Sequence, residues 1–199
     1  MQQYNYEVNP LKVKGVFEVV IKPNVDERGS FGRIWDKQFF ASLGMPYEWV
    51  QENHQYSKFK GTVRGAHIQL PPATESKMIW VPTGFTFFAY VDLRKGSPTL
   101  GEAGTLILSA EKQNSLVIPR GVAMVQCTLT DELHLHYKMD NYFSPEHEKN
   151  IRWDSLGVKF PVTTPTVISE KDRNATPLKE FLDATGGVDV VGTGMVKEI

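Results

Sequence analysis

Five histidines and one cysteine are the side chains of this 199-residue chain best suited to acid–base chemistry or metal ligation. Cys127 alone can close no internal disulfide and build no cysteine-based zinc knuckle. His134 and His136 flank Leu135 at the i, i+2 spacing that points two ligands one way from a strand, and Asp140 sits about where a carboxylate ligand would be wanted. The opposite side of that stretch is Leu133, Leu135 and Tyr137, the better interior face. His134, His136 and Lys138 are therefore expected to face outward, toward solvent or an interface, and no metal site is expected. His67 stands in Arg64-Gly65-Ala66-His67-Ile68-Gln69, on a face that strict alternation shares with Val63, Gly65 and Gln69. Such a histidine is either a core residue satisfied by a backbone partner or a general base, since imidazole titrates near neutrality. His54 and His147 lie near turns. Tyr137 is inward by alternation, as a core tyrosine would be.

The elements that must position these residues read as short strands. Stretches 15–22, 47–51, 62–70, 76–82, 84–93, 104–109, 114–119, 122–129 and 132–138 are rich in Val, Ile, Phe, Tyr and Thr. Gly, Pro, Asn and Asp separate them at intervals typical of sandwiches and barrels. In 84–92, Phe85, Phe87, Ala89 and Val91 share one side while Thr86, Phe88 and Tyr90 share the other. Both sides are largely apolar, as in a strand with a second layer packed over it. Helical signals are few: 36–43 closed by Gly44, and a helix that starts at a Ser-x-x-Asp box on Ser169 and runs to Leu182.

Composition bounds the function classes. The chain is 41% hydrophobic and 23% charged, an ordinary globular profile, and its length predicts one domain at about 150 residues per domain. Lys+Arg 22 against Asp+Glu 23 leaves a net charge of -1, which argues against nucleic acid or a membrane surface as partner. The start, MQQYNYEVNPLKVKG, has no apolar core of the kind a signal peptide needs, so a cytoplasmic protein is expected. No Gly-x-Gly-x-x-Gly follows a strand and opens a helix, which disfavours a nicotinamide enzyme. The glycines of the tail, 183–199, read as a flexible or strand-exchanging end.

Several segments, taken together, resemble the dTDP-4-dehydrorhamnose 3,5-epimerase family. They are Asp26-Glu27-Arg28-Gly29-Ser30-Phe31, Val50-Gln51-Glu52-Asn53-His54, Arg64-Gly65-Ala66-His67 and the run from Val91 to Thr99. Further on come Val117-Ile118-Pro119-Arg120-Gly121, Ser144-Pro145-Glu146-His147-Glu148, Ile151-Arg152-Trp153 and Ser169-Glu170-Lys171-Asp172. The resemblance covers residues 15–182 and implies a mostly β cupin fold, a double-stranded β-helix or jelly-roll barrel with a few short helices. It implies a cofactor-free homodimer whose substrate is a nucleotide-linked 4-keto sugar. His67 would be the base, held by Asp172; Tyr137 would be the acid on the opposite side of the ring; Lys77 would lie near the 4-keto oxygen. Arg28, Gln51, Asn53, Arg64, Glu148 and Lys171 would hold the nucleotide, some of them from a neighbouring subunit. Phe31, Gln69 and Met124 complete the implied substrate-binding set.

The residue types suit that chemistry. A 4-keto group acidifies the C–H bonds at C3 and C5, because the conjugate base is an enolate. A carboxylate that fixes the histidine tautomer supports proton removal, an ammonium supports the enolate oxygen, and a tyrosine with an ordinary pKa of about 10 stays protonated to donate. Three departures from the family pattern stand out: Met124 replaces a histidine, Phe88 replaces an aspartate, and Arg33 replaces a glutamate. The first two remove a polar pair together, with Gln126 on the face of Met124 as partial substitute. The expectation is an epimerase of a nucleotide-linked 4-keto-6-deoxy sugar that inverts C5 and/or C3, altered in scope, with inversion of C5 alone on a 3,6-dideoxy-4-keto sugar as its narrower form. The competing readings are a sugar-nucleotide-binding cupin without catalysis, a 3,4-ketoisomerase, and a metal-dependent cupin dioxygenase.

Overall fold

The computed structural model describes residues 5–45 and 48–190. The first residue of the strand expected at 47–51 and the tail glycines Gly192 and Gly194 lie outside them. Thirteen strands are formed among the described residues: β1 (Tyr6–Pro10), β2 (Phe17–Ile21), β3 (Asn24–Asp26), β4 (Gly29–Phe31), β5 (Gln51–Ser57), β6 (Val63–Gln69) and β7 (Lys77–Trp80), followed by β8 (Phe85–Asp92), β9 (Ala103–Ser109), β10 (Asn114–Ile118), β11 (Val122–Thr128), β12 (Leu133–Met139) and β13 (Glu148–Asn150). They form a six-stranded sheet in the order β1-β2-β10-β7-β12-β5, a five-stranded sheet in the order β13-β6-β11-β8-β9, and a separate hairpin, β3-β4. Crossovers between two antiparallel sheets make a jelly-roll barrel of the cupin type. No helix among the described residues is long and apolar enough to cross a membrane.

Three apolar layers hold the sheets. Between them lie Ile79, Leu116, Leu133 and Leu135 of the six-stranded sheet against Phe88, Tyr90, Leu108 and Val122 of the five-stranded one. The outer face of the five-stranded sheet, with Ala66, Ile68, Ala89 and Val91, is covered by Trp153, Leu156, Leu178 and Phe181 from the C-terminal segment. The outer face of the six-stranded sheet packs Phe17, Val19, Met78 and Val117 under Phe40 and Met45. Each strand of β8 type is thus covered on both sides, which is why its sequence is apolar on both. At about 1.5–3 kcal/mol per fully buried large side chain, these layers dominate the folding energy.

The helices are short and locally specified. Asp36 caps α1 (Lys37–Ser42), accepting from the Phe39 N–H at 3.0 Å. Ser169 caps α2 (Glu170–Arg173), accepting from the Asp172 N–H at 3.1 Å. The single helix expected from Ser169 to Leu182 is instead two. Pro177 disfavours helical backbone at Thr176, which bridges to Ile151, and the chain resumes as α3 (Leu178–Thr185), ended by Gly186 at φ +66°. The strand expected at 47–51 begins at Gln51 and runs on to Ser57, because β12 supplies a full-length partner for it.

Strict alternation also fails in β6, at the residue that matters most. Met124 pairs with His67 and Val125 with Gly65, so Ala66 is an extra residue, a bulge. Val63 therefore joins Ala66 and Ile68 on the outer face, and His67 shares the inner face with Arg64 rather than with Val63. Gly65 permits the kink: its φ is +103°, and a Cβ there would lie 2.6 Å from the Met124 carbonyl oxygen. Gly65→Ala is expected to lower the unfolding free energy by about 2 kcal/mol or more in urea titrations. Gly96→Ala, at φ +77° with nothing within 4 Å, is expected to cost only about 1 kcal/mol.

Candidate active site

The inner face of β6 aims His67 into the barrel, with Met124 of β11 on one side and Asn150 of β13 on the other. His67 Nε2 lies 2.7 Å from Asp172 Oδ1, across a sequence separation of 105 residues. Asp172, on α2, is 4% exposed. Its Oδ1 also accepts from Asn150 Nδ2 at 2.6 Å, and its Oδ2 accepts from the Gly65 N–H at 3.3 Å. Burial pushes the Asp172 carboxyl up, but the His67 hydrogen bond and charge and the Gly65 N–H together hold it below its ordinary value. An ionised Asp172 only accepts, so Nε2 of His67 carries the proton and Nδ1 keeps its lone pair. That tautomer is the one a base needs.

Tyr137, on β12, faces the same interior, opposite Asn53 of β5 and Ile79 of β7. Burial raises its pKa, the charges of Glu75 and Glu148 raise it further, and Arg64 acts the other way. A phenol so placed is protonated at neutral pH and available as a donor. Lys77, at the start of β7, is buried and paired with the carboxylate of Glu75. Lys171 of α2 pairs with Glu148 of β13, which joins two of the residues expected to hold a nucleotide.

The other expected binding residues are distributed more widely. Arg64 is exposed, its Nε donating to Ser57 Oγ at 3.2 Å and its Nη2 to the Tyr56 carbonyl at 3.1 Å. Gln69 donates to the carbonyls of Ala73 and Tyr142 and accepts from the Ser144 N–H, so its amide is spent on shaping the loop after β12. Gln51 Oε1 accepts from the Phe143 N–H at 2.6 Å and braces the same loop. Asn53 Nδ2 lies 3.5 Å from the Met139 sulfur. Arg28 and Phe31 sit on the separate hairpin β3-β4, strongly exposed, with the Arg28 guanidinium on Asp26. The structure brings neither into contact with the His67 pocket of its own chain.

Met124 and Phe88 lie where the family pattern has polar residues. Met124 is across from His67 on the inner face, and Phe88, diagonal to it, is fully buried opposite Gln126. Gln126 Oε1 accepts from Gln55 Nε2 at 2.5 Å, while its own Nε2 is buried without a partner. Arg33 pairs with Asp36, the cap of α1. His54, His134 and His136 stack on the outward face of β5 and β12 beside Trp80, as alternation expects for the last two. Two pocket residues escaped the reading of the sequence, Asn150 and Glu75. A signal existed for Glu75: two residues before Lys77 in extended chain, it points the same way. Asn150 becomes visible only through the pairing of β13 with β6.

With the geometry in hand, the likenesses to known proteins are extensive. The family model described as dTDP-4-dehydrorhamnose 3,5-epimerase matches residues 10–180. The dTDP-4-dehydrorhamnose 3,5-epimerase of Shigella flexneri is 37% identical over 182 residues, 89% of this chain and 98% of that protein. The crystal structure of the Bacillus anthracis dTDP-4-dehydrorhamnose 3,5-epimerase, with TDP and PPi bound, has a TM-score of 0.83 at 34% identity, covering 86% of this chain and 99% of that one. NovW of Streptomyces spheroides, a 4-keto-6-deoxy sugar epimerase, has a TM-score of 0.86 at 28% identity over 98% of each chain.

The lowered pKa of Asp172 makes stability depend on pH. A carboxylate depressed in the folded state stabilises fully above its ordinary value of 3.8, and that stability is lost as pH falls through the folded value. Asp172→Asn is therefore expected to cost about 2 kcal/mol at pH 7, the worth of charged hydrogen bonds. The gap to wild type should shrink below pH 3.8, read as urea midpoints along an acid series.

Proposed function

The chain belongs to the dTDP-4-dehydrorhamnose 3,5-epimerase family, and on that premise we propose that it epimerises a dTDP-linked 4-keto-6-deoxy sugar with His67 as base and Tyr137 as acid. The observation that carries this reading is the 2.7 Å contact of His67 with a buried, ionised Asp172 on the same interior that Tyr137 faces. Nδ1 of His67 takes the proton from a carbon next to the keto group. Asp172 supports the imidazolium that results, and Asn150 and the Gly65 N–H hold Asp172. The Lys77 ammonium offsets charge on the enolate oxygen, and Tyr137 returns a proton to the other face of the ring. Thymidine diphosphate as the nucleotide follows the Bacillus anthracis relative, which holds TDP.

Met124 and Phe88 suggest which carbon is inverted. A sugar hydroxyl pressed against this apolar wall loses its partners, at a cost of about 1–3 kcal/mol. A ring without a 3-hydroxyl avoids that cost, so inversion at C5 of a 3,6-dideoxy-4-keto sugar fits the wall. Proton NMR in heavy water with a panel of nucleotide-linked 4-keto sugars tests both levels. The C5–H signal of the 3-deoxy substrate is expected to vanish while the protons at C3 persist. Exchange at both carbons of one substrate overturns the single-carbon reading. Binding without exchange in any substrate points to the non-catalytic cupin instead. His67→Ala is expected to slow exchange by about 10²–10⁴-fold and to keep binding.

The exposed hairpin β3-β4 fits a homodimer in which Arg28 and Phe31 complete the site of the second subunit. In that arrangement an Arg28→Ala chain and a His67→Ala chain, each impaired alone, rebuild one intact site when mixed. Recovery of exchange on mixing is the expected result, and its absence refutes the shared site.

A further inference from the structure

Glu75 is a buried charged group to which the proposed mechanism assigns no task. It is 5% exposed, one carboxylate oxygen lies on the Lys77 ammonium, and Oε2 is buried without a partner. A buried ion pair is weak evidence of stabilisation, because desolvation of both charges offsets their attraction, and an apolar pair of similar volume often fills such a space at no loss. An oxygen left unpaired in the interior adds a further cost. The arrangement is therefore expensive as packing.

Its neighbourhood supplies a reason. Lys77 starts β7 on the parity of Ile79, which faces the interior, and Ile79 is the cross-strand neighbour of Tyr137. The charged groups whose fields reach the phenol are Glu75 ahead of β7, Glu148 on β13 and Arg64 on β6. Of the two carboxylates, Glu148 is part-exposed and held by Lys171, whereas Glu75 is buried, where charge is least screened. A carboxylate at this place opposes formation of phenolate, and the amide of a glutamine would not.

We propose that Glu75 is a positioning residue of the proton-donating side of the site, anchoring the Lys77 ammonium and setting a negative charge toward the Tyr137 phenol. The proposal rests on the epimerase reading for its catalytic meaning. It gives the buried pair two tasks at once: Lys77 is held for the enolate oxygen, and Tyr137 stays a phenol into the alkaline range. Loss of the charge leaves the acid more easily ionised, so activity fails at a lower pH.

The test is Glu75→Gln, which keeps an acceptor for Lys77 and removes the charge. Phenolate absorbance is titrated in wild type and variant, each against its Tyr137→Phe counterpart, so that the difference belongs to Tyr137. The variant's titration is expected to move down by about half a pH unit or more, and the alkaline limb of the solvent-deuterium exchange rate to move with it. Glu75→Asp, which restores the charge, is expected to return both toward wild type. An unmoved titration overturns the proposal, even where the melting temperature falls, since a purely structural glutamate lowers stability without touching the phenol. Should Glu75→Gln strand the ammonium and fail to fold, Lys77→Met and Lys77→Met/Glu75→Gln make the same comparison. The phenol titration needs no substrate. A wild-type chain that exchanges no proton refutes the epimerase reading, and the titration still decides the coupling of Glu75 to Tyr137.

Discussion

The hydrogen bond between His67 and Asp172 constrains more of this molecule than any other single contact. It joins β6 of the five-stranded sheet to a four-residue helix 105 residues later, so the chain between must return to within hydrogen-bond distance of one place. Three local devices converge on it. The bulge at Ala66 turns His67 inward, Gly65 supplies both the kink and an N–H for the carboxylate, and Ser169 caps the turn that carries Asp172. The short strand β13 then places Asn150 against the same oxygen. The outer layer of Trp153, Leu156, Leu178 and Phe181 presses the C-terminal segment onto the sheet and so fixes the carboxylate end of the pair.

Once the pair is made, its charge state follows. Burial alone raises the pKa of this carboxyl; its donors hold it below the ordinary value, and an ionised partner fixes the proton on Nε2. Across the interior the logic reverses. Tyr137 is kept in its neutral form by burial and by acidic neighbours. The interior thus holds an imidazole on an ionised carboxylate and a neutral phenol, carried by strands of different sheets. Beside His67 the interior is apolar at Met124, with Phe88 packed diagonally behind it in the core. A buried amide donor without a partner, Gln126 Nε2, lies two residues along β11 from Met124, across from Arg64.

Much of this was legible from residue order. Alternation in 133–138 separated the interior Tyr137 from the outward histidines, because a strand paired on both sides without a bulge keeps its period of two. The same argument split β8 correctly, with Phe88 and Tyr90 inside. In β6 it failed, since a bulge is decided by the register of two strands and leaves only a glycine as trace. The helix expected from Ser169 to Leu182 starts at its Ser169 cap but breaks after Arg173 and resumes only beyond Pro177, because a proline disfavours helical backbone at the residue before it. The hairpin β3-β4 and the strand β13 are three residues long, too short for any periodicity to declare them.

By itself, the amino-acid sequence determined that this is a β-rich chain in which the strand at 84–92 has two apolar faces. It determined which histidine lies within a strand beside a glycine, and it held the motifs by which the chain resembles a family of nucleotide-sugar epimerases. These are properties of local order, set by side-chain period, caps and residue type. Tertiary structure alone decided that His67 faces inward, that Asn150 shares its carboxylate, that Glu75 is buried on Lys77, and that Gln69 is consumed by a loop. It also decided that Arg28 and Phe31 stand clear of their own chain's pocket. The reason is physical: hydrogen-bond partners and charge neighbours are assigned by register between strands far apart in sequence, and a register shift of one residue exchanges the inside of a strand for its outside.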